Sequence, residues 1–247
     1  MGFWRSLIVS GLISFLTFGC SYEANSSTEN TKEVVQETNV SQLFIKAKAS
    51  QKAEDFFNQG NQLLDAQRYE DAIEAYDKAI AIKSDSAEAW INRGNALASL
   101  QRYKEALASY DKAIAINVNK DEAWYNRGNA LTSLQSYKDA IVSYDKAIAI
   151  KKDKSAAWVN RGIALTKLQR YQEALASYDK AIAIKPNKHE AYYNKACAYA
   201  LQNNVELAIE NLQKAMWLVP DKYQKLAKTD PDFSKIRSNQ RFQELIK

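Results

Sequence analysis

His189 and Cys197 are the side chains from which acid–base or nucleophilic chemistry would first be sought, because the chain holds one histidine and two cysteines. They lie eight residues apart on one predicted helix, a rise of about 12 Å with a turn of about 80° between them. A thiol–imidazole pair cannot form within that helix. Cys197 reads as a small packing residue and His189 as a surface residue at a helix start. There is no CxxC and no Cys/His cluster, so neither a disulfide framework nor a zinc site is expected. Walker, Rossmann and G-x-S-x-G patterns are missing. Catalysis needs a singular, converging set of groups, whereas the polar residues of this chain recur in several copies. The reading is of a protein without catalytic residues, cofactor, metal or small-molecule substrate.

Cys20 stands in a different context. One cation, Arg5, precedes a twelve-residue apolar run from Leu7 to Phe18. That run is shorter than the ~20 residues that span a bilayer as a helix and fits the apolar part of a secretory signal. The segment Leu16-Thr17-Phe18-Gly19-Cys20 resembles a bacterial lipoprotein box, with Thr17 where that family prefers Leu. The resemblance implies cleavage after residue 19 and acylation of Cys20. Several acyl chains would then anchor the protein, each buried CH₂ contributing ~0.8 kcal/mol. Localisation would be the bacterial cell envelope, on the outer face of the plasma membrane or the periplasmic side of the outer membrane. An uncleaved N-terminal membrane helix is the alternative. N-myristoylation at Gly2 is disfavoured by Phe3 and the apolar run. Residues 21–40 are rich in Ser, Thr, Asn and Glu, and predict a disordered tether.

The remaining chemistry is periodic. Gly60, Gly94, Gly128 and Gly162 are each 34 residues apart, and YDKAIAI begins at 76, 110, 144 and 178. Residues 87–120 and 121–154 share 24 identities in 34 positions, which marks a tandem duplication. Seven glycines and three prolines are few, which favours helices throughout. Small residues such as Ala89, Gly94, Ala96, Ala106 and Ala113 would let two helices per unit approach closely. One hairpin cannot bury its apolar face alone, so neighbours must stack. Asp85 with Glu88, Asn119 with Glu122, and Asn187 with Glu190 predict capping boxes at helix starts, as does Asp221 with Gln224; Asp153 keeps the cap without the partner.

These features resemble the tetratricopeptide repeat, whose 34-residue signature is W-x₂-L-G-x₂-Y, A-x₃-F, P. Trp90, Gly94, Ala106, Tyr110 and Ala113 carry it in the second unit, and Trp124, Gly128, Ala140, Tyr144 and Ala147 in the third. Trp158, Gly162, Ala174, Tyr178, Ala181 and Pro186 carry it in the fourth. The first unit (Phe56, Gly60, Tyr76) and the fifth (Tyr192, Ala196, Leu212, Pro220) are weaker. The expected fold is therefore an all-α solenoid of five 34-residue helix-turn-helix repeats. The expected boundaries are a signal at 1–19, a tether at 20–40 and a lead-in helix at 41–52. The array would run 53–222, as 53–86, 87–120, 121–154, 155–188 and 189–222, with C-terminal capping helices at 223–247.

The resemblance also places a binding groove on the first helix of each unit. Asn58, Asn92, Asn126, Asn160 and Asn194 form one row, and Asn61, Asn95 and Asn129 a second, continued by Ile163 and Cys197. Tyr125 and Tyr193 belong to an apolar row beside them. An amide pairs with both C=O and N–H of a peptide, so an extended segment of a partner is expected there. The competing reading is that the asparagines bond within the scaffold. Glu54, Phe57, Glu88 and Glu122 stand where some relatives carry basic residues that clamp a terminal carboxylate. Arg93, Arg127, Arg161 and Lys195 follow Asp77, Asp111, Asp145 and Asp179 by 16 residues, and ion pairs between successive hairpins are expected. The net charge of +5 is spread along the chain, which argues against nucleic acid. The function expected is a membrane-anchored adaptor for a protein or peptide partner. A self-assembling solenoid and a regulatory module for an enzyme are the alternatives.

Overall fold

The computed structural model describes the backbone from residue 26 and the side chains from residue 39, both to residue 247. The signal and Cys20 lie outside the described residues. Two units are distinguished, 1–48 and 49–247. In the first, the described residues belong to helix α1 (Ser26–Asp65). Segment 26–40, expected as a disordered tether, is thus helical, and 41–52 is not a separate element. The physical reason is propagation: extending an existing helix adds one hydrogen bond per residue fixed and avoids the cost of nucleation. Val40, Leu43, Phe44 and Ile45 are exposed on it.

The second unit begins with the end of α1 and continues as helical hairpins: α2 (Tyr69–Ile82), α3 (Ala87–Ser99) with α4 (Tyr103–Ile116), and α5 (Asp121–Ser133) with α6 (Tyr137–Ile150). Then come α7 (Ser155–Lys167) with α8 (Tyr171–Ile184) and α9 (His189–Leu201) with α10 (Val205–Leu218). No strand occurs among the described residues. Within α4, Ala106, Tyr110 and Ala113 fall on one face and are buried, the spacing that makes a helix amphipathic. Good helix formers fill the other positions.

Packing inside the first four hairpins depends on one close approach. A Cβ on Gly94 would lie 2.5 Å from Cε1 of Tyr110, and Gly128 faces Tyr144 at the same distance. The ring of the second helix therefore lies directly on the backbone of the first. The hairpin turn is tight for a second reason. Gln67, Gln101, Gln135, Gln169 and Asn203 all have φ 59°. In the second repeat Gln101 N–H donates to Ala98 O and Arg102 N–H to Leu97 O, both at 2.9 Å. This is the Schellman arrangement, with glutamine where glycine is usual.

Successive hairpins are joined by the expected ion pairs. Arg93–Asp77, Arg127–Asp111, Arg161–Asp145 and Lys195–Asp179 lie at 2.6, 2.7, 2.6 and 2.5 Å. Each arginine also donates onward, to the buried hydroxyls of Ser109, Ser143 and Ser177 at 2.7–2.8 Å, so one side chain ties three helices. The indoles of Trp90, Trp124 and Trp158 donate to Ser84 O, Val118 O and Lys152 O, fastening the loop between hairpins.

The helix starts differ from the expected capping boxes. The N-cap positions are Ser86, Lys120, Lys154 and Lys188, one residue after Asp85, Asn119, Asp153 and Asn187. Ser86 alone of these four caps with its side chain, accepting from Ala89 N–H. In the loop before α5 it is a different asparagine that bonds the backbone: Asn117 Oδ1 accepts from Asn119 N–H at 3.0 Å. Asp221 is not a cap either, because α11 (Pro220–Thr229) starts with Pro220 at its first position.

Past α11, Asp230 caps a 3-10 helix (Pro231–Ile236) by accepting from Asp232 N–H, and Asn239 caps α12 (Gln240–Ile246) through Phe242 N–H. These short pieces carry an aromatic stack. Tyr193 and Tyr223 stack with centroids 4.7 Å apart, Phe233 meets Tyr193 edge-on at 5.8 Å, and Phe233 stacks on Phe242 at 5.2 Å. Phe233, Ile236 and Phe242 are fully buried, and they cover the end of the array.

Candidate binding groove

Each of α3, α5 and α7 packs on the next first helix in the row, whereas α4, α6 and α8 do not pack on one another to that extent. The first helices therefore form the inner, more closely spaced wall. Both asparagine rows stand on it, and the structure links them. Asn61 Oδ1 accepts from Tyr76 OH at 2.8 Å and from Asn92 Nδ2 at 2.9 Å. One repeat on, Asn95 Oδ1 accepts from Tyr110 OH at 2.9 Å and Asn126 Nδ2 at 2.8 Å. Asn129 Oδ1 does the same for Tyr144 OH at 3.0 Å and Asn160 Nδ2 at 2.8 Å. The chain Tyr–Asn–Asn thus runs from the core of one hairpin to the face of the next. Burial pushes the Tyr76 phenol up to about 12 and raises Tyr110 and Tyr144 further, so these hydroxyls stay protonated donors.

The scaffold uses one side of each amide. Among the described residues, Oδ1 of Asn92, Asn126 and Asn160 and Nδ2 of Asn95 and Asn129 have no protein partner. The second and third repeats each present an acceptor and a donor, and the fourth an acceptor, whose orientation the ladder has already set, which lowers the ordering cost of binding. Asn95, Asn126, Asn129, Tyr110 and Ser133 line a cavity of about 180 Å³ in this wall. Tyr125 is half-buried beside it. Its hydroxyl accepts from Asn160 at 3.1 Å and its ring lies 4.6 Å under the Lys154 ammonium.

The ends of the rows behave differently. Asn58 is exposed at the first repeat. Asn194 turns back on its own helix and donates to Glu190 O at 2.7 Å. Tyr193 is 7% exposed, under the aromatic stack, and its hydroxyl donates to Asp230 Oδ2 at 2.6 Å. It is therefore not a groove contact, because the 3-10 helix packs on α9 and covers it. Capping helices are expected over 223–247, but the repeat register, in which Tyr193 shares its position with Tyr125, does not reveal that they lie on Tyr193.

His189 and Cys197 remain apart, as their spacing required. His189 Nδ1 meets Tyr223 OH at 2.6 Å. Cys197 faces Asp230 at 3.9 Å, and with Asp232 these ligand-type atoms lie within 4.8 Å of one another. Burial and the two carboxylates push the thiol well up, which opposes nucleophilic reactivity. Asp230 is already engaged by Tyr193 and Asp232 lies 3.8 Å from Lys167.

A lysine row escaped the sequence reading. Lys120, at the N-cap of α5, bonds Glu88 at the start of α3, and Lys154, at the N-cap of α7, bonds Asp121 at the start of α5 at 2.8 Å. Its signal was present, since Lys120, Lys154 and Lys188 recur at the 34-residue spacing.

Family models described as TPR repeat match residues 60–101 and 94–132, and models described as tetratricopeptide repeat match 121–154, 155–188 and 177–210. Together they take in more than half the chain, which belongs to the tetratricopeptide repeat family. No curated protein matches it. Among solved structures, MamA is similar at 22% identity over 72% of this chain and 96% of that one, with a TM-score of 0.63. MamA of Desulfovibrio magneticus RS-1 gives 22% over 68% and 94%, with 0.64. YrrB, described as "a TPR protein with an unusual peptide-binding site", gives 28% over 73% and 92%, with 0.61.

Proposed function

We propose that this protein is a non-enzymatic binding scaffold that holds an extended segment of a protein partner against the wall formed by α3, α5 and α7. The observation that carries this reading is the half-used amide ladder. The free Oδ1 atoms of Asn92, Asn126 and Asn160 and the free Nδ2 atoms of Asn95 and Asn129 match the N–H and C=O of a peptide backbone. Peptide binding by YrrB, as its description states, supports the same use of a similar fold. Tyr125 would supply apolar contact. The covered C-terminal end leaves little surface for a second copy to stack on, which sets the self-assembling alternative lower.

The anchored part of the proposal rests on residues 1–20. An apolar run followed by Gly19-Cys20 supports export and acylation at Cys20, with the array held at a bacterial envelope surface. Among the described residues no helix is long and apolar enough to cross a membrane.

A photo-crosslinking residue placed at Ser133, on the groove wall, and at Val142, exposed on α6, tests the binding face. Crosslinks to one partner from 133 and not from 142 are expected. Crosslinks confined to 142 would overturn the groove reading. For the anchor, acyl labelling should vanish in Cys20→Ala, and labelling that persists would overturn that part.

A further inference from the structure

The lysine row has a gap. At the joint between the second and third repeats, Lys120 at the N-cap of α5 bonds Glu88 near the start of α3, and this bond holds the Glu88 carboxyl below the usual range. Thirty-four residues before Lys120 the chain has Ser86, and thirty-four before Glu88 it has Glu54. The Ser86 hydroxyl is occupied as the cap of α3, and it is too short to repeat the contact. The described ion pairs of the first repeat are Arg68–Asp71, Lys78–Glu74 and Arg93–Asp77, and Glu54 is in none of them. At this joint there is instead a cavity of about 280 Å³. Its walls are Glu54 and Phe57 of α1, Ala79 and Lys83 at the end of α2, and Ser86 and Ala89 at the start of α3.

We infer that this cavity receives a lysine side chain of the bound partner, in the place that Lys120 fills one joint further along. The inference rests on the groove reading above and names the chemistry of one side chain in it. Phe57 and the two alanines offer an apolar lining for the aliphatic stem, and Glu54 offers the counter-charge for the ammonium. Lys83 is the other charge on the cavity wall. It disfavours a run of cations, so the partner segment presents a single lysine flanked by uncharged or acidic residues.

The test uses the full chain and two probe peptides, acetyl-Gly-Lys-Gly-amide and the same peptide with norleucine, followed by amide NMR shifts at Ser50, Glu54 and Ser86. Saturating shifts with the lysine peptide are expected, with at least tenfold weaker binding of norleucine. Ser86→Lys should fill the cavity from within. It should weaken the lysine peptide at least tenfold and raise Tm, with the rise absent when Glu54→Gln is added. Glu54→Gln alone should weaken the lysine peptide and leave norleucine unchanged. Equal binding of the two peptides, or binding indifferent to both substitutions, overturns the inference. If that happens while crosslinks from 133 persist, the groove reading stands without it; if those crosslinks fail too, both fall.

Discussion

In the second to fourth repeats, a tyrosine of the second helix lies on a glycine of the first. In the fifth, the same two places are Leu212 and Ala196, both fully buried. The middle repeats send the tyrosine hydroxyl outward to an asparagine, or in the fourth, where Ile163 replaces that asparagine, to Thr166 at 3.1 Å. The fifth repeat has no hydroxyl to satisfy, and Cys197 stands in the asparagine's place beneath Asp230. The difference teaches that residue identity follows what lies above each position. Where the wall is open, the repeat keeps a polar relay from core to surface. Where α11, the 3-10 helix and α12 lie over it, the relay is replaced by apolar filling, because a buried amide without partners costs roughly 1–3 kcal/mol.

The largest test of this contrast is Phe233→Ala, expected to cost about 3–5 kcal/mol at the covered end. Stability in a repeat array is mostly nearest-neighbour. Hydrogen exchange should therefore accelerate over 189–247 and leave 87–154 protected; uniform acceleration would show that the two regions are one cooperative unit. Next, Gly128→Ala forces a Cβ into the Tyr144 ring and should cost about 1–3 kcal/mol in denaturant unfolding. Adding Tyr144→Leu copies the fifth repeat's solution. The double variant should cost less than the sum of the singles, and additivity would refute the pairing.

A smaller effect separates the middle repeats from each other. Asn95→Ala leaves the Tyr110 hydroxyl without its protein partner and should cost about 1–3 kcal/mol. Asn129→Ala should cost less, about 1 kcal/mol, because Thr132 lies 3.0 Å from the Tyr144 hydroxyl and Asn160 keeps Tyr125. Smallest is Asp232→Asn. Burial raises the Asp232 carboxyl above its usual range, against the opposing pull of Lys167. A raised carboxyl favours the fold only while protonated, so its ionised form weakens the fold at neutral pH. Thermal melts of Asp232→Asn should exceed wild type at pH 7, and the gain should vanish below the usual carboxylate range. A gain that persists in acid would point to packing instead.

The repeat frame and the inter-hairpin ion pairs were legible from spacing alone, because duplication writes each contact several times. Arg93 and Asp77 announced their pairing by occurring again at Arg127 and Asp111. The asparagine rows were legible as positions but not as bonds; that Asn61 joins Tyr76 to Asn92 depends on rotamers. The caps were misplaced by one residue because three of the four cap positions carry lysine, which cannot accept a bond, while the Asp or Asn stands one place before. Tyr193 was misassigned because its cover comes from unique segments, Pro231–Ile236 and Gln240–Ile246, which no other part of the chain repeats.

Duplication also copies what is imperfect. The glutamine at the hairpin bend was inherited by four units, each in a backbone shape that suits glycine or asparagine better, and only Asn203 departs from it. An L-residue there carries a penalty on the order of 1 kcal/mol. A remedy found for one bend is therefore portable to the others, and heat tolerance in such a chain can be raised by repeating a single edit.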